Sequence, residues 1–416
     1  MDFKKKVLTL AVLSAFSVSA IANTPTNEEI MQMMKEMKEE IAELRKENES
    51  LKGEVEDVAG SVEDVAVATD EAIKAQVKLS NKTTIGGYGE LHYNNLRDQK
   101  GDSHKDEMDF HRFVLFVNHE FNDRLRFVSE VELEHSFSGD GNDDDSPGKV
   151  ELEQAYIQYD LTEKTSVVGG LFLVPVGILN ETHEPPTFYG VERNNVEKYI
   201  VPTTWWEGGA MVQHQIMDGL GLDLAITSGM KGESSDDFSP RDARQKVAKA
   251  DASTFAYTGR LKYTAIPGLE LAGTINYQEN YGQDTEDGVG SGTLYEAHAV
   301  YNKNQFGLRA LAAIWDIEGS AVKAIGADEQ YGYYLEPSYR FSLFGEDLGA
   351  FTRYSYFDNA AGSGSITDTE TQQYDIGLNW WVDKDVVVKV DYQIQDVGDG
   401  IPKEYDGLNV GLGYQF

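Results

Sequence analysis

Glu181, Glu184, Glu192 and Glu197 stand in one stretch of the chain, 175–205, beside Arg193 and Lys198. Pro175, Pro185, Pro186 and Pro202 bar helix or strand through most of it. A segment of that length without regular structure is either functional or a sign that the elements are misassigned. Carboxylates and guanidiniums at the narrowest point of a pore set which charged solutes pass. The matching cations are Arg260, Arg309, Arg340 and Arg353, which lie four to seven residues along their strands from the nearest short turn. That spacing puts them at similar depth and predicts an eyelet, with loop carboxylates on one side and an arginine row on the other. A plainer alternative has these arginines pairing with wall carboxylates such as Glu336 and Glu270.

Other chemistries find little support. The chain has no cysteine, hence no thiolate nucleophile, disulfide framework or cysteine zinc site. His111, His119 and His135 fall on expected strands without an H-E-x-x-H spacing, and no G-x-S-x-G elbow occurs. Asp140–Asp145 lacks the spaced pattern of a calcium loop and reads as a solvated acidic loop. No catalytic residue, metal or cofactor is expected. A net charge of −35 argues against nucleic acid as a partner.

The elements that would hold the eyelet follow from period-two alternation starting at Thr84. Long connections are expected near 95–106, 138–149, 176–204, 231–253, 282–292, 319–328, 359–368 and 397–403, with short turns strictly between them. Eight long and seven short connections imply sixteen antiparallel strands, and that sorting of loops to two rims marks a transmembrane barrel. Leu408, Val410, Leu412, Tyr414 and Phe416 alternate to an aromatic terminus, and this last strand must pair with the first to leave no edge in lipid. Sets such as Leu269/Leu271/Ile275/Tyr277 and Tyr374/Ile376/Leu378/Trp380 face outward. The opposite face collects eight basic residues, among them Arg112, Arg126, Lys262 and Lys389, and twelve acidic ones, among them Glu90, Glu130, Glu132, Asp375 and Asp391. So many charges in a dry core would be prohibitive, which predicts a water-filled interior.

Ahead of the barrel, Met1–Ala22 has the basic, apolar and A-x-A regions of a secretory signal. Residues 23–79 form an expected coiled-coil stalk and linker: apolar residues recur every three to four positions from Ile30 to Ala72, Leu44 and Leu51 lie on the seam, and Asn48 between them fixes register. Valine at both seam positions in the second half favours three strands, and the stalk would be roughly 65 Å long. The expected organisation is thus all-β, a sixteen-stranded antiparallel transmembrane barrel over 80–416 preceded by an α-helical coiled coil.

Gly169-Gly170-Leu-Phe-Leu-Val-Pro175-Val-Gly177, then Phe188, Glu192-Arg193, Pro202 and Trp206-Glu207-Gly208-Gly209, resembles the phosphate-selective porin O/P family. The resemblance implies a trimeric sixteen-stranded porin in the outer membrane of a Gram-negative bacterium, with the third loop folded inward. Phosphate selectivity in that family rests on a ladder of pore arginines and a lysine cluster. This chain departs from it: the inward face is net acidic, and the cations of the fourth loop are matched by acids. The expected function is passive diffusion of small hydrophilic solutes or ions. An anion- or phosphate-preferring channel and an envelope tether acting through the stalk are the alternatives. The expected partners are outer-membrane lipid, lipopolysaccharide, two further copies of the chain, and the cell wall at the periplasmic stalk.

Overall fold

Residues that alternate in period two become sixteen antiparallel strands. They are β1 (Thr83–Asp98), β2 (His104–Asn122), β3 (Leu125–Glu134), β4 (Val150–Thr162), β5 (Thr165–Leu173), β6 (Trp206–Met217), β7 (Leu220–Thr227), β8 (Ala256–Tyr263), β9 (Leu269–Gln278), β10 (Gly292–Lys303), β11 (Phe306–Ile317), β12 (Glu329–Leu343), β13 (Glu346–Asp358), β14 (Thr371–Asp383), β15 (Val386–Val397) and β16 (Tyr405–Gln415). The structure, a computed structural model, describes residues 82–136, 148–364 and 368–416, and single residues of a helix between 28 and 46. The signal segment, Leu44, Asn48 and Leu51 of the expected seam, and the acidic loop Asp140–Asp145 lie outside the described residues. The chain divides into Met1–Ser80 and Asn81–Phe416. In the first unit Met34 and Ile41, both on the expected seam, are helical and exposed.

Each strand pairs with its sequence neighbours, and β1 pairs with β16 to close the barrel. Closure runs from Tyr88 opposite Gln415 to Asp98 opposite Tyr405, and Gly87 and Phe416 exchange backbone hydrogen bonds at 2.9 and 3.0 Å. No edge is left to face lipid. Long and short connections alternate as expected. The first loop is the exception in length, because β1 and β2 run further than their apolar alternation does. Polar cross-strand pairs, Arg97–Asp106 at 2.8 Å and Asn95–Asp106 at 2.5 Å, carry that ladder on.

Exposure alternates along the strands. Ile275, Tyr277, Tyr374, Ile376, Leu378 and Tyr392 are exposed on the outer face, while Glu90, Glu130, Asn276, Glu296, Asp375 and Lys389 are buried on the inner one. The inner face is not uniformly wet, contrary to the expectation from charge alone. Leu294, Leu311, Ala313, Trp315, Ile317 and Tyr334 also point inward, and they pack against Val174, Val176, Ile178, Val196, Ile200, Val201 and Trp205 of the third long loop (174–205). Met230 and Phe238 of the fourth loop, Tyr281 and Val289 of the fifth and Val322 of the sixth join the cluster. Four loops thus bury apolar side chains inside the barrel against one side of its wall, and the hydrophobic effect holds them there.

Candidate functional site

The third loop enters the barrel at Val174 and leaves at Trp205, with one 3-10 turn at Pro185–Thr187 and one π-type turn at Val196–Ile200. Most of its carbonyls have no ladder to join, and inside a barrel they need donors. Inward-facing wall residues provide them. Arg112 donates to the His183 carbonyl at 2.8 Å, Arg309 to Thr187 at 2.6 Å, Lys389 to Gly190 at 2.8 Å, and Trp315 to Ile200 at 2.9 Å. Arg353 donates to Tyr189 and Glu192, Asn379 to Phe188, and Trp381 to Pro186. From above, Arg241 and Arg244 of the fourth loop donate to the carbonyls of Lys198 and Thr204 at 3.2 and 2.6 Å. These bonds reach the loop from β2, β11, β13, β14 and β15.

Glu197 organises the loop from within. Its buried carboxylate accepts hydrogen bonds from the amides of Ile178 and Leu179, both at 2.6 Å, and from the Tyr334 hydroxyl of β12 at 2.8 Å. Gly177 makes this approach possible: it sits at φ +70°, and a Cβ there would stand 2.8 Å from Glu197 Oε1. Glu197 is therefore a strut, not a solute-facing jaw.

The other expected site residues divide. Glu181 meets Arg260 at 3.0 Å and Lys262 at 3.4 Å, and Arg260 also holds Asp223 at 2.6 Å. Glu192 meets not an arginine but His92 at 3.1 Å and Asn94 at 3.2 Å of β1. Arg353 takes the plainer of its two expected roles, pairing with the wall carboxylates Asp375 at 2.9 Å and Glu336 at 3.2 Å, and it meets the loop through carbonyls, not through a carboxylate. Arg340 does not join the row. It lies opposite Gly349, close to the short turn, where it pairs with Asp347 at 2.6 Å and stacks over Trp381. The expected equal depth fails for it because register sets depth: Arg340 stands level with Gln305 in the β10–β11 turn, four residues nearer the rim than Glu336, which faces Arg309. Glu184 is half-buried beside Pro185, and its carbonyl accepts from Thr187 at 2.9 Å. Sequence reasoning passed over His92, Asn94, Asn379 and Lys389. Parity along the strands marked Lys389 as inward, but parity carries no azimuth around a barrel.

The loop's charges are tuned by these neighbours. Burial pushes the Glu181 carboxyl up, but Arg260 and Lys262 outweigh it and hold it below the ordinary carboxylate range. Burial likewise raises Glu192, and His92 outweighs it, leaving the group well below that range. Burial and then the nearby Arg112 lower the Arg193 guanidinium. Arg244 is lowered to about 10 by burial, with Arg241 and Arg193 adding repulsion. Two lysines of the fourth loop are neutralised, Lys231 by Glu233 and Lys246 by Glu151. Arg193 of the third loop and Arg241 and Arg244 of the fourth form no ion pair among the described residues, so the fourth-loop acids expected to cancel Arg241 and Arg244 do not do so.

On the short-turn side of the loop lies a polar cavity of about 470 Å³, lined by Glu181, Asp223, Arg260, Lys262, Glu270 and Gln213 among others. Its lining carries charges of both signs.

The comparisons agree with this geometry. An anion-selective porin from Comamonas acidovorans is similar in structure, with a TM-score of 0.58 and 13% identity over 80% of this chain and 99% of that one. Salmonella typhi OmpF gives a TM-score of 0.56 at 15% identity, covering 81% and 98%, and the channel DcaP of Acinetobacter baumannii gives 0.54 at 14%, covering 80% and 97%. At such identities these likenesses show the barrel fold alone. In sequence, a protein of Aquifex aeolicus (strain VF5), described only as uncharacterized, is 30% identical over 359 residues, 80% of either chain. Residues 84–416 match the family described as phosphate-selective porin O and P, which covers every strand but the first residue of β1. The protein is an outer-membrane porin, and it belongs to the phosphate-selective porin O and P family.

Proposed function

We propose that the third loop narrows the pore, and that small hydrophilic solutes or ions pass by passive diffusion beside it. The observation that carries this reading is the ring of wall donors to loop carbonyls, from Arg112 to Lys389, which supports a loop fixed across the lumen. The eyelet consists of Glu181, Glu184 and Arg193 from the loop and Arg260, Lys262 and Arg309 from the wall. Arg340 and Glu197 stand outside it. The chain assembles as a trimer, which Met34 and Ile41, exposed on the N-terminal helix, support. β1 begins at the short-turn rim, which supports a periplasmic side for the segment that precedes it.

A second reading, preference for anions such as phosphate, is favoured by Arg193, Arg241 and Arg244. A guanidinium partly desolvated and lacking a carboxylate partner binds an oxyanion well. Reversal potentials in a KCl gradient and in a phosphate gradient, recorded across planar bilayers, test both readings. Arg193→Ala should shift the reversal potential toward cations if the anion reading holds. Identical potentials for Arg193→Ala, Arg309→Ala and the parent protein would remove charge selection by the eyelet altogether.

A further inference from the structure

Where the third loop passes β3 and β4, three side chains meet that the pore reading does not use. His183 comes from the loop, Glu130 from β3 and Glu153 from β4, and all three are at least nine-tenths buried. His183 Nε2 lies 3.5 Å from Glu130 Oε1 and 3.9 Å from Glu153 Oε2, and the three ligand atoms are all within 4.8 Å of one another. Both ring nitrogens of His183 and Glu153 Oε2 have no hydrogen-bond partner. A buried imidazole and a buried carboxylate oxygen left unpartnered cost about 1–3 kcal/mol each, so an occupant is called for.

The local charge calls for the same occupant. Glu132, buried on β3, abuts Glu153, so three carboxylates share one dry corner. Arg112 is close, but its guanidinium is used on Glu90 at 2.5 Å, on the Tyr88 hydroxyl at 3.1 Å and on the His183 carbonyl. The outer oxygens are already oriented: Gln154 donates to Glu130 Oε2 at 2.6 Å and Thr204 to Glu153 Oε1 at 2.7 Å. That leaves Glu153 Oε2 and an imidazole nitrogen unpartnered, beside Glu130 Oε1, which accepts only from the Tyr88 hydroxyl at a long 3.3 Å. Second-shell bonds of this kind orient the ligands of a metal.

We infer that Glu130, Glu153 and His183 bind one divalent transition metal ion of the zinc class, which pins the third loop to the β3–β4 wall. One nitrogen and two carboxylate oxygens suit such an ion better than calcium or magnesium, which take oxygen alone. Metal bonds of about 2.1 Å in a tetrahedron set the ligand atoms about 3.4 Å apart, close to the His183–Glu130 spacing. Because His183 arrives with the loop, docking completes the site, and the ion in turn favours the docked loop. The inference does not depend on the charge selectivity of the eyelet.

The test uses the full-length protein, stripped with a chelator, dialysed and titrated with Zn²⁺ by calorimetry, with metal content read by mass spectrometry. The expected result is one ion per chain at this site, bound at least about 100-fold more weakly in His183→Ala and in Glu153→Gln, since loss of an outer-shell partner alone costs about 10- to 100-fold. Asp109, His111 and His135 form a second, partly exposed group near the outer rim, so His111→Ala must leave the first site intact. No binding by the stripped protein, or binding that survives Glu153→Gln and falls with His111→Ala, overturns the inference. Should His183→Ala fail to assemble, Glu153→Gln alone decides, since it keeps the shape of the side chain. Chelation of the parent protein should also increase current noise in single-channel records, which Zn²⁺ and not Mg²⁺ reverses; a trace unchanged by chelation would remove the pinning role.

Discussion

At the scale of residues, the loop carboxylates expected to act alike have three different tasks. Glu181 faces solvent and two cations, Glu192 faces a histidine and an asparagine, and Glu197 is sealed inside the loop. Sequence could not separate them, because all three are glutamates in one polar stretch and their difference lies in what the wall presents opposite. The pair Glu181–Arg260 makes a prediction about pH. Its carboxyl is lowered in the folded state, so the pairing is fully present above the ordinary glutamate value of about 4.3 and is lost as pH falls through the lower folded value. Single-channel conductance and selectivity should therefore stay flat from pH 7 to about pH 5 and change only below about pH 4. A transition between pH 5 and 7 would assign the control to another group.

At the scale of elements, the strands were legible and the loops were legible only in length. Alternation in β9 and β14 gave the outward sets correctly, since lipid imposes one simple rule on one face. The inward face obeys no such rule. It carries Trp315 and Leu311 where four loops pack and Arg353 where a carbonyl waits, and only the path of the loop decides which. The loop itself makes a prediction through Glu197. Replacing it by alanine strands the amides of Ile178 and Leu179 and the Tyr334 hydroxyl, at about 1–3 kcal/mol for each buried donor left unpaired. Glu197→Ala should raise mean conductance and broaden its distribution, while far-ultraviolet circular dichroism keeps the strand signal. Conductance equal to that of the parent protein would show that the wall donors suffice without the strut.

At the scale of the whole molecule, the barrel is closed by β1 and β16 and needs no partner to satisfy its backbone. Assembly must then be favoured by something else, and the N-terminal helix with exposed Met34 and Ile41 is the proposed source. Deleting residues 23–79 should convert a trimer that survives mild detergent electrophoresis into monomers, with single-pore conductance retained. Trimers of unchanged heat stability would place the association in the barrel wall instead.

Between Pro185 and Glu192 the wall grips the third loop largely by its carbonyls. A carbonyl is present whatever side chain a residue carries. Substitutions along 185–192 can therefore alter the size, charge or polarity of the solute path while Arg309, Arg353, Asn379, Trp381 and Lys389 go on gripping the same oxygens. Such an arrangement separates the inheritance of shape from the inheritance of specificity. A lineage built on it can change its diet without relearning how to fold.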